Sequence, residues 1–104
     1  MASERNIQIS GLPEIDEIDR AKVLYSLALC YDKIQRLVSN EVLMHAHFKQ
    51  QRKKGLRRQH DIKLKISYPG KTLVSNAKDW QLITTLQSAI KAIEREAIAS
   101  VKKD

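Results

Sequence analysis

Residues 42–75, VLMHAHFKQQRKKGLRRQHDIKLKISYPGKTLVS, contain most of the sheet that the sequence predicts. Apolar and polar residues alternate over Val42–Phe48 and again over His60–Ser67, which is typical of strands that bury one face. Tyr68–Lys71, with Pro and Gly at its centre, predicts a tight turn into a further strand, Thr72–Ser75. These three strands follow one another through short connections, so we expect an antiparallel meander.

A short strand and two helices flank this meander. Asn6–Ser10 alternates in the same way, and an apolar repeat at steps of three and four predicts a helix from about Ile15 to Ser39. A second helical repeat begins near Asp79, which is a suitable helix cap. The apolar stripes comprise Leu24, Leu27, Tyr31, Ile34 and Val38 in the first helix, and Ile83, Leu86, Ile90, Ile93, Ala97 and Val101 in the second.

The order of these elements, strand, helix, three strands and helix, predicts the fold. A right-handed crossover places the first two strands side by side, and each helix has one apolar stripe. Both helices can then cover the same face of a four-stranded sheet. We therefore predict an α/β (α+β) two-layer sandwich, β-α-β-β-β-α, which forms a single domain over residues 1–104.

Charge is distributed unevenly along the chain. Residues 1–41 hold five basic and seven acidic residues, a balance of −2, whereas residues 42–104 hold fourteen basic and five acidic residues, a balance of +9. The formal net charge is +7. Such a balance favours a polyanionic partner, with nucleic acid as the first candidate and an anionic membrane surface as the second.

Several classes of protein are disfavoured by what the sequence lacks. No apolar stretch approaches the length of a membrane span, and the N-terminus does not resemble a secretory signal. Cys30 is the only cysteine; it lies in an apolar helical pattern, so we expect a core residue in a cytoplasmic protein. No Gly-rich phosphate loop or nucleophile–base set is visible, so the sequence predicts neither an enzyme nor a cofactor nor a small-molecule substrate.

Three histidines could in principle approach a metal ion. His45 and His47 lie on the same side of one predicted strand, and His60 lies near the start of the next. A structural zinc site needs about four ligands, and neither cysteines nor a suitable pair of carboxylates accompany these histidines. We predict no metal site, although the sequence leaves open whether these side chains bind a metal.

Residues 49–58 contain six basic residues and no acidic residue. They could be the solvated tip of a hairpin, whose charges protect a strand edge. They could instead neutralise phosphates, since each Lys or Arg that contacts a phosphate releases condensed counterions. Because aromatic residues make up only 5% of the chain, we expect recognition of the backbone and shape of structured RNA rather than base stacking.

Four motifs add a resemblance that covers nearly the whole chain. They are Asn6–Gly11 in the first strand, Lys33–Leu37 at the end of the first helix, Tyr68–Leu73 in the hairpin, and Asp79, Leu86, Ala89 and Ile93–Glu96 around the last helix. Their order and spacing resemble those of the ribosome hibernation-promoting factor family, also called ribosome-associated inhibitors. Members of that family bind the small ribosomal subunit in the channel used by messenger and transfer RNA, block translation and protect idle ribosomes.

The resemblance implies a non-enzymatic ribosome-binding factor of the short, single-domain type, which docks on small-subunit rRNA in the cytoplasm. Lys33, Arg36 and Arg95 match positions of the family. From charge alone, the expected RNA-binding set also includes Arg52, Lys53, Lys54, Arg57, Arg58, Lys91, Lys102 and Lys103.

Two other functions fit the same features. A free-standing double-stranded RNA-binding module also consists of a helix, three strands and a helix, and it recognises shape. The leading strand Asn6–Ser10 separates the two readings, because that module does not require it. The third hypothesis is an adaptor that binds an acidic protein partner through its positive charge.

Overall fold

The computed structural model describes residues 5–52, 55 and 58–102 of the chain. The elements are β1 (Ile7–Ser10), α1 (Glu17–Val38), β2 (Leu43–Arg52), β3 (Arg58–Tyr68), β4 (Lys71–Asp79) and α2 (Leu82–Lys102). The strands form one four-stranded sheet in the order β1-β2-β3-β4. β1 pairs with β2 in parallel, and the other two pairs are antiparallel. The predicted β-α-β-β-β-α two-layer sandwich is confirmed.

Both helices pack on one face of the sheet, which we call the covered face. Its residues alternate with polar ones along each strand, as a sheet with one buried face requires. The buried apolar residues of the strands are Met44, Ala46, Phe48, Ile62, Leu64, Ile66 and Leu73. They meet one buried stripe from each helix, so the core lies between the sheet and the helical layer.

The first helix is delimited by polar caps at both ends. The Asp16 carboxylate accepts a hydrogen bond from the Asp19 backbone N–H at 2.7 Å, and Glu17 and Asp19 place negative charge in the first turn. At the other end, Ser39 adopts φ 52° and its N–H donates to the carbonyl of Gln35 at 2.9 Å. The Ser39 cap ends α1, and four residues then connect it to β2. The cap therefore fixes where the chain returns to the sheet.

The two helices run in the same direction. Gln87 Nε2 donates to Ser26 Oγ at 3.1 Å, and Lys33 Nζ lies 3.3 Å from Glu94 Oε1. The second contact lies further towards the C-terminus than the first by the same seven residues on each helix, from Ser26 to Lys33 and from Gln87 to Glu94. Because α1 ends beside the start of β2, the C-terminal ends of both helices lie at that end of the molecule. The β2–β3 hairpin lies at the opposite end.

Gly11 leads out of β1 and lies directly against β2. Its φ is +73°, in the left-handed region that favours glycine. A Cβ atom at this position would collide with the carbonyl oxygen of Phe48. This close approach holds the end of β1 against β2, where Ser10 pairs with His47.

The β2–β3 hairpin is longer than its alternation predicts. The pattern predicts a strand that ends at Phe48 and another that begins at His60, but backbone pairing continues to Arg52 opposite Arg58. Beyond Phe48 both faces of the hairpin are polar, so the alternation disappears while the hydrogen-bonded ladder persists. The predicted basic loop therefore consists partly of strand residues.

The predicted cap of the last helix is wrong. Asp79 is the last residue of β4 and pairs with His60, and its carboxylate accepts a hydrogen bond from the Trp80 N–H at 2.6 Å. α2 begins only at Leu82. The pattern Thr72–Ser75 underestimates β4 because its remaining residues are mostly polar, which hides a strand that backbone pairing sustains.

Two predicted stripe residues are exposed. Leu24 in α1 is 43% exposed and Val101 in α2 is 40% exposed, whereas Val23 is fully buried. Cys30 is buried, and burial raises the pKa of its thiol to about 12. The prediction that Cys30 belongs to the core is confirmed. Within the described ranges, no helix is long and apolar enough to cross a membrane.

Candidate RNA-contact surfaces

One group of predicted RNA-binding residues lies on the helical layer. We call it the helix cluster, and all of its side chains are exposed: Lys33, Arg36, Lys91, Arg95 and Lys102. Lys91, Arg95 and Lys102 follow one another at steps of four and seven, so they lie along one side of α2. Arg36 lies in the last turn of α1. Because the helices are parallel, Arg36 and the C-terminal half of α2 lie at the same end of the molecule.

One member of the helix cluster has an acidic partner, and a second ion pair lies beside the cluster on α1. Lys33 pairs with Glu94 across the two helices, which offsets part of its charge. Asp32 forms a two-pronged contact with Arg5, from Arg5 Nε to Asp32 Oδ1 and from Nη2 to Oδ2, both at 2.9 Å. This contact, with help from Arg36, lowers the pKa of Asp32. Lys91, Arg95 and Lys102 join no ion pair among the described residues, so their charge is available to a ligand.

A second group of predicted residues falls between Arg52 in β2 and Arg58 in β3. We call it the hairpin cluster, and it comprises Arg52, Lys53, Lys54, Arg57 and Arg58. Arg52 and Arg58 are register partners in the last pair of the ladder, and Arg58 is exposed. Lys53, Lys54 and Arg57 lie outside the described residues, as does Lys103 near the end of the chain.

The helix cluster and the described residues of the hairpin cluster lie at opposite ends of the sheet. The helix cluster is near the start of β2, and Arg52 and Arg58 pair at its end. A strand of 10 residues spans about 30 Å at roughly 3.4 Å per residue. The described members of the predicted set therefore form two separate basic surfaces rather than one patch.

The face of the sheet opposite the helices, which we call the open face, carries further cations. Lys49, Lys63, Lys65 and Lys78 are all exposed there. Sequence reasoning placed Lys63 and Lys65 on the outer side of their strand and counted Lys49 only among the six basic residues of 49–58. None of the four was in the expected RNA-binding set. Their positive charge at alternate strand positions was the available signal.

A shallow depression of about 330 Å³ lies on the open face. Asn76 Nδ2 donates to Asp61 Oδ1 at 2.7 Å, and Lys78 Nζ lies 3.9 Å from Asp61 Oδ2. These two partners hold Asp61, the one carboxylate among the described residues that line the depression. The lining residues are His47, Lys49, Asp61, Lys63, Asn76 and Lys78.

The histidines do not converge as a trio. His45 Nε2 and His47 Nδ1 lie 3.0 and 2.8 Å from Ser10 Oγ, on the open face. His60 has the strand parity of the covered face, and burial lowers its pKa. Among the residues that the structure describes, no three His, Cys, Asp or Glu side chains are grouped so that they could hold a metal ion.

No protein-family model matches the chain, and neither does any curated protein. Among solved structures, the chain is similar to the N-terminal domain of Protein Y from Thermus thermophilus, with 18% identity, a TM-score of 0.62, and coverage of 93% of this chain and 98% of that one. It is also similar to a ribosomal subunit interface protein from Coxiella burnetii, with 18% identity, a TM-score of 0.65, and coverage of 94% and 98%.

The chain has the fold of these two proteins. Both belong to the ribosome hibernation-promoting factor family, which is the family that the sequence motifs resemble. At 18% identity the likeness concerns the fold. It confirms the architecture that the motifs implied, including the leading strand β1, and it spans nearly the full length of both neighbours.

Proposed function

We propose that this protein is a non-enzymatic ribosome-binding factor that docks on small-subunit rRNA, inhibits translation and protects idle ribosomes. The observation that carries the proposal is the structural likeness, across 94% of the chain, to a protein described as a ribosomal subunit interface protein. A factor of this kind acts by occupying a surface. It therefore needs cations in a fixed arrangement rather than a catalytic group.

The charge of the protein supports an RNA partner. Its net charge is +7, and exposed cations of the helix cluster extend along one side of α2. Each cation that contacts a phosphate releases counterions, so binding would be favourable and would weaken steeply as salt rises. The cation-rich region contains no acidic partner for Lys91, Arg95 or Lys102 within the described part of the chain.

The helical layer is suited to hold these cations at fixed spacings. Lys33 and Glu94 join α1 to α2, and Gln87 and Ser26 join them two turns earlier. The two helices also share a buried core. Because the scaffold is rigid, little ordering would be required when RNA phosphates contact the cluster, which favours affinity.

Sedimentation with purified ribosomal subunits tests the proposal. We expect the protein to co-sediment with the small subunit and to inhibit a cell-free translation reaction at matching concentrations. The contradicting outcome is a protein that stays at the top of gradients at both low and physiological salt.

The helix cluster is tested with the triple variant Lys91→Gln, Arg95→Gln and Lys102→Gln. If three phosphate contacts are lost, the log–log salt slope of binding falls by about two to three units, at roughly 0.7–0.9 per contact. A slope like that of the wild type would show that these residues do not contact RNA.

A control variant carries the same change in net charge at exposed positions outside both clusters. It combines Arg20→Gln, Lys22→Gln and Lys71→Gln. It separates local contacts from the general loss of positive charge, and we expect its slope to change by less than about one unit.

The hairpin cluster has its own test. Replacing Lys53, Lys54, Arg57 and Arg58 by Gln removes four charges and should lower the slope by about three units if all four contact phosphates. The melting temperature should barely change, because exposed charges contribute little to folding. An unchanged slope in the folded variant would mean that these residues form a solvated hairpin tip.

Two competing functions are outcomes of the same measurements. A naked RNA duplex that binds as tightly as the small subunit would favour a free-standing double-stranded RNA-binding module. The strand β1, paired in parallel with β2, is an addition which that module does not require. The third function, an adaptor for an acidic protein, predicts two results. The purified protein would carry no bound nucleic acid, and a polyanion resin would retain it no more strongly than the control variant.

A further inference from the structure

The open face of the sheet presents cations that neither cluster of the proposed site uses. In the strand register, His45 lies beside Lys65, His47 beside Lys63, and Lys49 beside Asp61. The four lysines of this face outnumber its single carboxylate among the described residues. This face therefore carries a local excess of positive charge, which attracts anionic ligands.

The one acidic group at the described positions of the open face, Asp61, already has protein partners. Asp61 accepts a hydrogen bond from Asn76 and lies within ion-pair distance of Lys78. Lys49, Lys63 and Lys65 join no ion pair in the described part of the chain. Lys49 and Lys63 therefore line the depression with uncommitted ammonium groups, and Lys65 lies two residues beyond Lys63 on β3. An anion placed in the depression would contact Lys49 and Lys63 without displacing a protein partner.

The spacing of these cations is regular. Lys63 and Lys65 are two residues apart on β3, which places them about 7 Å apart along the strand. Lys49 lies on the neighbouring strand, two register positions away from the His47–Lys63 pair and on the same face. His47 and His45 lie beside Lys63 and Lys65 on β2. Ser10 Oγ lies 2.8 Å from His47 Nδ1 and 3.0 Å from His45 Nε2, and the two rings add further nitrogen atoms to this surface. Cations on a pleated strand thus form a row, which suits a chain of phosphates better than a single compact anion.

The described positions of the open face include no Phe, Tyr or Trp, the side chains that stack on bases. Base stacking on aromatic rings is the usual source of affinity for exposed bases, so a ligand here would be contacted through its backbone.

We propose that the open face is a second RNA-contact surface, in which Lys49, Lys63 and Lys65 bind the phosphates of an RNA segment separate from the one at the helix cluster. This inference rests on the proposed function, because it takes RNA as the partner. It adds a surface on the other side of the sheet, which the sequence motifs do not include.

The test uses the triple variant Lys49→Gln, Lys63→Gln and Lys65→Gln in the full-length protein. Binding to isolated small subunits is measured over several salt concentrations, beside the wild type and the control variant. We expect the log–log salt slope to fall by about two to three units in the open-face variant, and by less than about one unit in the control variant. Circular dichroism and urea unfolding establish that both variants are folded.

Lysine footprinting of the wild-type protein gives a second readout that needs no substitution. An acylating reagent is applied with and without small subunits, and the modified lysines are quantified by mass spectrometry. We expect Lys63 and Lys65 to become several-fold less reactive in the complex, while Lys22 and Lys71 keep their reactivity.

The outcomes separate this inference from the proposed function. If the helix-cluster variant loses affinity while the open-face variant matches the control and Lys63 stays reactive, the proposed function holds and the inference is wrong. In that case the lysines only protect an exposed sheet from aggregation. If the wild type binds no small subunits, both are wrong.

Discussion

The covered and open faces of the sheet consist of alternate residues of the same strands, but they obey different constraints. On β3, Ile62, Leu64 and Ile66 are fully buried, whereas Lys63 and Lys65 between them are exposed. The covered face is constrained by volume and dehydration. On the open face almost any polar residue would permit folding, so its choice of cations reports on something other than stability.

The largest expected difference in stability is between substitutions at two neighbouring residues of β3, one on each face. Leu64→Ala leaves a cavity in the core and should lower the free energy of unfolding by about 2–5 kcal/mol. Lys65→Ala, one residue along, should change it by less than about 0.5 kcal/mol. Urea unfolding of both variants is the measurement. Similar losses in the two variants would contradict the assignment of the faces.

The next effect concerns the backbone where β1 meets β2. Gly11→Ala adds a Cβ that collides with the carbonyl oxygen of Phe48, at a φ of +73°. We expect a loss of about 2–4 kcal/mol, from left-handed strain together with overpacking.

Gly70→Ala is the matched control for this substitution. Its φ is +82°, and nothing lies within 4 Å of the added Cβ. It should therefore show the strain alone, about 1–2 kcal/mol. Equal losses in the two alanine variants would mean that the contact between Gly11 and Phe48 does not constrain the fold.

Much of the covered face is predictable from the sequence, for a physical reason. In β2 and β3 the period of two is carried by strongly apolar residues, and Phe48, Leu64 and Ile66 are buried as predicted. In α1 the pattern is ambiguous, because apolar residues such as Tyr25 and Leu29 also occupy the exposed side of the helix. Periodicity alone could not decide that Val23 rather than Leu24 faces the core.

The candidate surfaces are less predictable, because a count of charges carries no direction. The basic residues of α2 and of the hairpin belong to the same C-terminal excess of charge in the sequence. Only the parallel course of the helices, joined through Lys33 and Glu94, places them at opposite ends of the sheet. The cations of the open face are scattered over three strands, and pairing alone brings Lys49, Lys63 and Lys78 together.

A smaller difference in the free energy of unfolding is expected when one hydroxyl is removed from each face. Ser75 is 7% exposed, and its Oγ donates to the carbonyl of Ala89 at 2.8 Å, joining β4 to α2. Ser75→Ala should cost about 1 kcal/mol. Ser10→Ala on the open face should cost less, because water can replace the hydroxyl between His45 and His47. A greater loss from Ser10 than from Ser75, measured by urea unfolding, would reverse the ranking of the faces.

The smallest expected effect is a pH dependence from the covered side of the hairpin. Burial lowers the pKa of His60 below the 6.5 of an exposed histidine. In the window from 6.5 downward, the unfolded chain therefore binds more protons at this position than the folded chain does, and folding stability falls as pH falls. Well above 6.5 the histidine is neutral in both states, and the contribution of His60 no longer changes with pH.

His60→Gln should therefore flatten the pH dependence of the free energy of unfolding between pH 7.5 and pH 5.5, and it should do so at the acidic end. The double variant His45→Gln and His47→Gln, on the open face, keeps the His60 contribution and serves as the control. Urea unfolding at a series of pH values is the measurement. If His60→Gln retains the full acidic loss of the wild type, the loss arises elsewhere, and the hairpin end of the covered side is hydrated well enough for His60 to accept a proton without penalty.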